Sequence, residues 1–157
     1  MLVEWAECSF RQDAPRKDPT CDLPVTPLDL QLRILDEAMA GRVSTTSESL
    51  GYAVLAQGFD SIAAVYCHRA VELEKRSLAD RHAILGGMMA REIGHLLLKQ
   101  TEHSGAGIMQ AQLGDGDLKL TGKGRMWFTE SEAVRLKWMV AKRQQASKTS
   151  PRVALVE

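Results

Sequence analysis

Apolar and polar residues alternate along Leu2 to Ala6 and again along Leu30 to Leu35, the period expected of half-buried β-strands. Between them Pro15, Pro19, Pro24 and Pro27 predict loop. Leu50 to Leu55 and Ile62 to Tyr66 read as two further short strands separated by a turn near Gln57-Gly58, with Cys67 and His68 falling near a strand end. The period then changes. Ile84, Leu85, Met88, Met89, Leu96 and Leu97 recur at helical spacing, and Ser77 with Asp80 supplies an N-cap signal, so one long helix is predicted up to about Lys99. Gly86-Gly87 would cost such a helix about 1 kcal/mol each relative to alanine, which predicts close packing against a strand there.

Beyond that helix the chain from Gln100 to Lys123 turns to Gly, Thr, Ser and Asp, a composition that predicts loop. Within it Asp115-Gly116-Asp117 lacks the ligand pattern of a calcium loop and reads as a turn. Thr129 and Glu132 form a capping box that opens a last helix through about Arg143. Residues 1–146 are expected to form one domain and residues 147–157 a frayed tail. Strands followed by helices predict an α+β fold, a small mixed sheet packed on a long helix with a C-terminal helix beside it.

Composition narrows the function classes. A chain of 157 residues can bury roughly 70% of its unfolded surface. Lys plus Arg and Asp plus Glu both number 20, so no net field draws the chain to nucleic acid or anionic lipid. Lys137, Lys142, Arg143, Lys148 and Arg152 are better read as solvating the last helix than as a nucleic-acid surface. No apolar run is long enough to span a membrane. Met1 to Glu4 lacks the basic start and apolar core of a signal peptide, so a cytoplasmic location is expected. Cys8, Cys21 and Cys67 offer no C-x-x-C spacing, which argues against a zinc ribbon. Cys8 and Cys21 flank a proline-containing loop and can pair if the chain is exported, while a reducing cytosol would keep them as thiols.

The candidate chemistry lies in residues 91–109. In the zincin motif H-E-x-x-H, two histidines four apart share one helical face and one Zn²⁺, and the glutamate polarises the metal-bound water. Here the pattern is R-E-x-x-H. Glu92 takes the general-base position, His95 the second-ligand position, and His103, eight residues further on, can return from a loop as another ligand. Arg91 stands at the first-ligand position and cannot ligate, because guanidinium has no free lone pair and stays protonated. Read apart from this pattern, His95 is a packed or exposed helix histidine, Glu92 a solvated carboxylate or a partner for a neighbouring cation, and Met109 an apolar plug. Arg91 and Glu92 are not expected to pair, since successive helical residues point apart. His82 lies thirteen residues before His95, about 20 Å along a helix, too far to share its metal. His68 is the remaining candidate for a replacement ligand.

The stretch resembles a family of small bacterial zinc metalloprotease-like proteins, zincin or metzincin in kind, whose signature looks like A-H-E-I-G-H-L-L-L-G-x-x-x-H-S-x-x-G-I-M. Ala90, Glu92 to Leu98, His103-Ser104 and Gly107 to Met109 match it, and Arg91 and Lys99 do not. Similarity continues from Val3-Glu4-Trp5 and Cys8 through Leu32-Arg33-Ile34, Leu50-Gly51-Tyr52-Ala53, Val65-Tyr66 and Leu85-Gly86 to Phe128-Thr129. The common metzincin pattern H-E-x-x-H-x-x-G-x-x-H closes sooner than the His95 to His103 separation allows. The resemblance implies a zincin-like fold, N-terminally short here, and relatives that are exported. It also implies zinc at His95 and His103, weakly held or absent, with Met109 packed beneath the site. Two readings stay open. One is a degenerate zinc metallopeptidase, weak or inactive, with Glu92 as its general base. The other is a non-catalytic pseudopeptidase that binds peptide or protein along an edge strand at Gly51, Tyr52 and Ala53. Neither requires nucleic acid or membrane, and neither fixes an oligomeric state.

Overall fold

A computed structural model describes residues 4–6, 8, 18–43, 49–56 and 61–149 of the chain. Three strands and five helices give a mixed α+β architecture, in the order β1 (Gln31–Leu35), α1 (Glu37–Ala40), β2 (Gly51–Val54), β3 (Ile62–Tyr66), α2 (Cys67–Ser77), α3 (Arg81–Leu98), α4 (Asp115–Gly122) and α5 (Glu130–Thr149). A short 3-10 turn, Pro19–Asp22, precedes them. The sheet runs β1-β3-β2, with β1 parallel and β2 antiparallel to the central β3, so it is small and mixed as expected. The turn expected near Gln57-Gly58, and Pro15, lie outside the described residues.

Strand alternation splits the core in two. Val65 faces one way and packs with Ala70 of α2 and with Ile84 and Met88 of α3. Ala64 and Tyr66 face the other way and pack with Leu35, Ala40, Val43 and Tyr52. A third cluster, Leu98, Ile108 and Met109 with Phe128 and Leu136, joins the end of α3 to α5. Apolar burial worth about 1.5–3 kcal/mol per large side chain holds α3 between these layers. The helix starts where Asp80 Oδ1 accepts from Ala83 N at 2.8 Å, and it stops at Lys99, whose φ of 53° is left-handed.

Several expectations are corrected. Glu4, Trp5 and Ala6 are exposed and irregular, not strand; the rest of that segment lies outside the described residues. Cys67 and His68 open helix α2, and Ser77 ends it with its hydroxyl on Leu73 O at 2.6 Å, leaving Asp80 alone as the N-cap of α3. The apolar positions of α2 are few and its charges many, which hid its period from sequence. Gly87 does pack closely, yet against α4: a Cβ there would lie 2.4 Å from Thr121 Cγ2, while one at Gly86 would meet nothing within 4 Å. Asp115-Gly116-Asp117 forms the first turn of α4, inside the segment expected to be loop, and Asp117 Oδ2 accepts from Gly114 N at 3.0 Å. Thr129 and Glu132 cap α5 as expected, with Thr129 N donating to Glu132 Oε2 at 2.8 Å, but the helix runs on through Thr149. Arg143 is no solvating cation: it is buried and donates to Pro27 O at 2.7 Å and Asp29 O at 3.2 Å, pinning α5 to the loop before β1.

Cys8 and Cys21 are joined by a disulfide across the proline-containing loop, and Cys67 is a free thiol. No helix among the described residues is long and apolar enough to cross a membrane.

The glycines predict opposite outcomes on substitution. A Cβ at Gly51 would lie 2.4 Å from Ala64 O and 3.0 Å from Glu92 Cγ. Gly51→Ala is therefore expected to cost about 1–3 kcal/mol. Gly86→Ala, in open space on a helix, is expected to gain up to about 1 kcal/mol. Chemical denaturation of the two variants beside the parent checks both signs.

Candidate functional site

Helix α3 turns an unusual face toward the core. Ile84, Met88, Arg91, Glu92 and His95 follow one another at helical spacing and all are buried, so the apolar stripe continues directly into charge. Beside it lies Gly94, where a Cβ would come within 2.7 Å of Met109 Sδ and 2.8 Å of Phe128 Cε1. That close approach seats the helix on Met109, which is fully buried, one position from His95. Buried ionisable groups on a core-facing stripe are costly unless paired, so they mark a candidate site.

Arg91 and Glu92 come together against expectation. Arg91 Nε lies 3.8 Å from Glu92 Oε1, a reach that two long side chains allow even from successive helical positions. Arg91 Nη1 also donates to Gln110 O. Burial lowers the arginine's pKa and Glu92 only partly restores it, while burial raises the Glu92 carboxyl to about 7 even against the opposing pull of Arg91. The attraction across 3.8 Å thus leaves the glutamate's desolvation largely uncompensated.

His95 and His103 meet edge to face, with ring centroids 5.2 Å apart and planes at 79°. His95 Nδ1 lies 2.8 Å from Gln100 O, so it carries the proton and leaves Nε2 as the acceptor nitrogen, the tautomer a metal ligand or a hydrogen-bond acceptor needs. Burial lowers the pKa of both histidines and Arg91 lowers it further, so both are neutral at pH 7. The loop carrying His103 is fixed on both sides. Ser104 N donates to Met109 O at 2.9 Å, Ser104 Oγ donates to Glu132 Oε1, and Gly107 makes the turn at a φ of 75°. Burial raises the Glu132 carboxyl, but the Ser104 and Thr129 hydrogen bonds outweigh it and hold it below its usual value.

These groups line a cleft of about 860 Å³ whose other wall is β2, with Gly51, Tyr52 and Ala53 all contributing. Arg69, Glu72 and Arg76 of α2 stand at the same cleft, with Arg69 bound to Glu72 at 2.6 Å and Arg76 3.6 Å from Asp115. Arg91, Glu92, His95, His103 and the β2 edge, singled out from sequence, are therefore brought together. His68 does not line the cleft; its ring lies 6.0 Å from Tyr66, and its buried Nδ1 has no hydrogen-bond partner among the described residues. His82 is exposed at the far end of α3. Sequence reasoning missed Gln100 and Gln110, which act through backbone carbonyls and carry no motif of their own, and it read Glu132 only as a helix cap, without its bond to Ser104.

Among the described residues no group of three or more His, Cys, Asp or Glu side chains is placed to hold a metal ion. Two histidines beside a fixed cation do not meet the three-ligand requirement of catalytic zinc. No protein-family model, no curated protein and no solved structure matches the chain.

Burial of Glu92 makes stability depend on pH. A carboxyl held near 7 in the folded state and at about 4.5 when unfolded contributes fully below 4.5 and loses that contribution as pH rises through about 7. The histidines, with lowered values, act in the opposite sense and lose stability as pH falls. Comparison with Glu92→Gln isolates the glutamate. The variant is expected to gain on the parent by up to about 3 kcal/mol between pH 4.5 and pH 8, read from denaturant midpoints at each pH.

Proposed function

We propose that the chain is a degenerate zincin: a metallopeptidase-like frame whose metal centre has given way to a peptide-binding cleft. The observation that carries this reading is the placement of Arg91 on the core-facing stripe of α3, in the cleft that Glu92, His95, His103 and the β2 edge also line. The sequence resemblance supplies the zincin frame. The arrangement of α3 beneath an edge strand, with Met109 under the helix, agrees with it.

Chemistry favours binding over cutting. A peptidase of this kind needs a metal held by three protein ligands to bind and acidify water, and the first of those ligands is the one that Arg91 replaces. A guanidinium in the same space opposes a dication by charge as well as by lacking a lone pair. Glu92, which would accept the water's proton in an intact relative, here faces Arg91 instead. What remains is an open strand edge, able to accept an extended peptide through backbone hydrogen bonds without any metal. The Cys8–Cys21 disulfide supports an oxidising compartment and hence export.

Two measurements test the reading. After dialysis against a mild chelator, the parent chain is expected to hold well under one zinc per molecule by elemental analysis. Arg91→His, which restores two histidines to one helical face beside His103, is expected to hold one zinc and to melt at higher temperature when zinc is added. One tightly held zinc in the parent would overturn the account, as would an Arg91→His variant indifferent to zinc. Should any peptidase activity appear in the parent, Glu92→Gln is expected to abolish it, and activity that survives would belong to another site.

A further inference from the structure

We propose that Arg91 is the anchor for a carboxylate of the extended peptide that docks on β2. The inference rests on the peptide-binding reading and adds to it the chemistry of the ligand.

The first argument is unspent hydrogen-bonding capacity. Guanidinium carries five N–H donors in a planar fork. Arg91 is 8% exposed, yet among the described residues it uses Nη1 on Gln110 O and otherwise only faces Glu92 Oε1 from Nε at 3.8 Å, beyond hydrogen-bond reach. Nη2 donates to no described residue. A buried cation with one edge of its fork unoccupied, lining an open cleft, is built for a planar acceptor with two oxygens.

The second argument is the charge of the cleft. Its ionisable lining is Arg69, Arg76 and Arg91 against Glu72 and Glu92, with Asp115 3.6 Å from Arg76, and burial drives Glu92, the carboxyl facing Arg91, toward its neutral form. Glu72 is committed to Arg69. His95 and His103 add no negative charge, and as neutral rings they leave the arginine's field unopposed on their side.

The third argument is position. Gly51 of β2 lies over Glu92, the neighbour of Arg91, where a Cβ would come within 3.0 Å of Glu92 Cγ, and Gly51 and Arg91 line the same cleft. Among the described residues β2 is paired only to β3, through Gly51 to Val54, and Gly51, Tyr52 and Ala53 line the cleft. An extended peptide added there would run past the guanidinium. Its carboxylate would be either the chain terminus or an Asp or Glu side chain, two sources of the same group.

The test uses the full chain, immobilised, and three degenerate hexapeptide libraries acetylated at the N-terminus. One ends in a free carboxylate and lacks Asp and Glu. One is amidated and lacks them too. One is amidated and carries a single Asp at varied positions. Retention is measured by mass spectrometry, and retained peptides are titrated in solution. At least one carboxylate-bearing library is expected to bind about tenfold or more tightly than the neutral one, and which of the two does so identifies the source. Arg91→Gln is expected to erase that preference, and Arg91→Lys, which keeps charge but not the fork, to retain only part of it. Lys137→Gln, exposed on α5 and outside the cleft lining, is expected to leave the preference in place. If Arg91→Gln does not fold, as judged by circular dichroism, the parent's library preference and Arg91→Lys decide the matter. Equal retention of all three libraries by the parent, or a preference untouched by Arg91→Lys, would overturn the carboxylate anchor while leaving peptide binding intact. Retention of none would overturn both.

Discussion

Everything distinctive here depends on one buried cation placed where an apolar stripe would otherwise continue. Arg91 sits on the core side of α3 with Glu92 at 3.8 Å and the Gln110 carbonyl on its Nη1. Removing two charges from water costs several kcal/mol per ion, and a single incomplete contact does not return it. The stability that sustains such a pair comes from elsewhere: from Ile84, Met88 and Val65 on one side of the helix and from Met109, Leu98 and Ile108 at its end.

The surrounding architecture reads as support for that stripe. Gly94 lets Met109 and Phe128 approach α3 closely, Gly51 does the same for β2 on Glu92, and Lys99 ends the helix so that the chain can turn back with His103. Lys99 then reaches Ala56 O and Ser61 Oγ, both at 3.2 Å, tying the helix end to the segment between β2 and β3. Glu132 joins the cap of α5 to Ser104, and Arg135 of the same helix donates to Gln100 Oε1 at 2.8 Å, whose backbone oxygen holds His95. The last helix thus positions both histidines without touching the cleft itself.

Much of this was legible in the sequence, for identifiable reasons. β1 follows from a two-residue alternation, β2 and β3 from short apolar runs beside a turn, α3 from its helical period, and the Thr129 to Glu132 box marks the start of α5. The approach of His103 to His95 is an expectation of the family resemblance, since the eight-residue spacing departs from the common metzincin pattern, and the ring centroids lie 5.2 Å apart. What escaped was set by tertiary contact. Helix α2 buries little beyond Ala70 and Ser77, so its charges concealed it, and α4 hides in a Gly- and Asp-rich stretch because its first turn is capped by Asp117. The approach of Arg91 to Glu92 depends on side-chain length and a distant carbonyl, neither visible in a helical wheel.

The most direct test of the account is nuclear magnetic resonance of the side-chain nitrogens of His95 and His103 during titration of the parent chain with zinc. If Arg91 has displaced the metal, His95 is expected to show the tautomer protonated at Nδ1, and the ring signals of both residues to hold their positions at one equivalent of zinc. Slow-exchange shifts of both Nε2 signals, complete at one equivalent, would establish a metal centre in spite of the arginine and contradict the account.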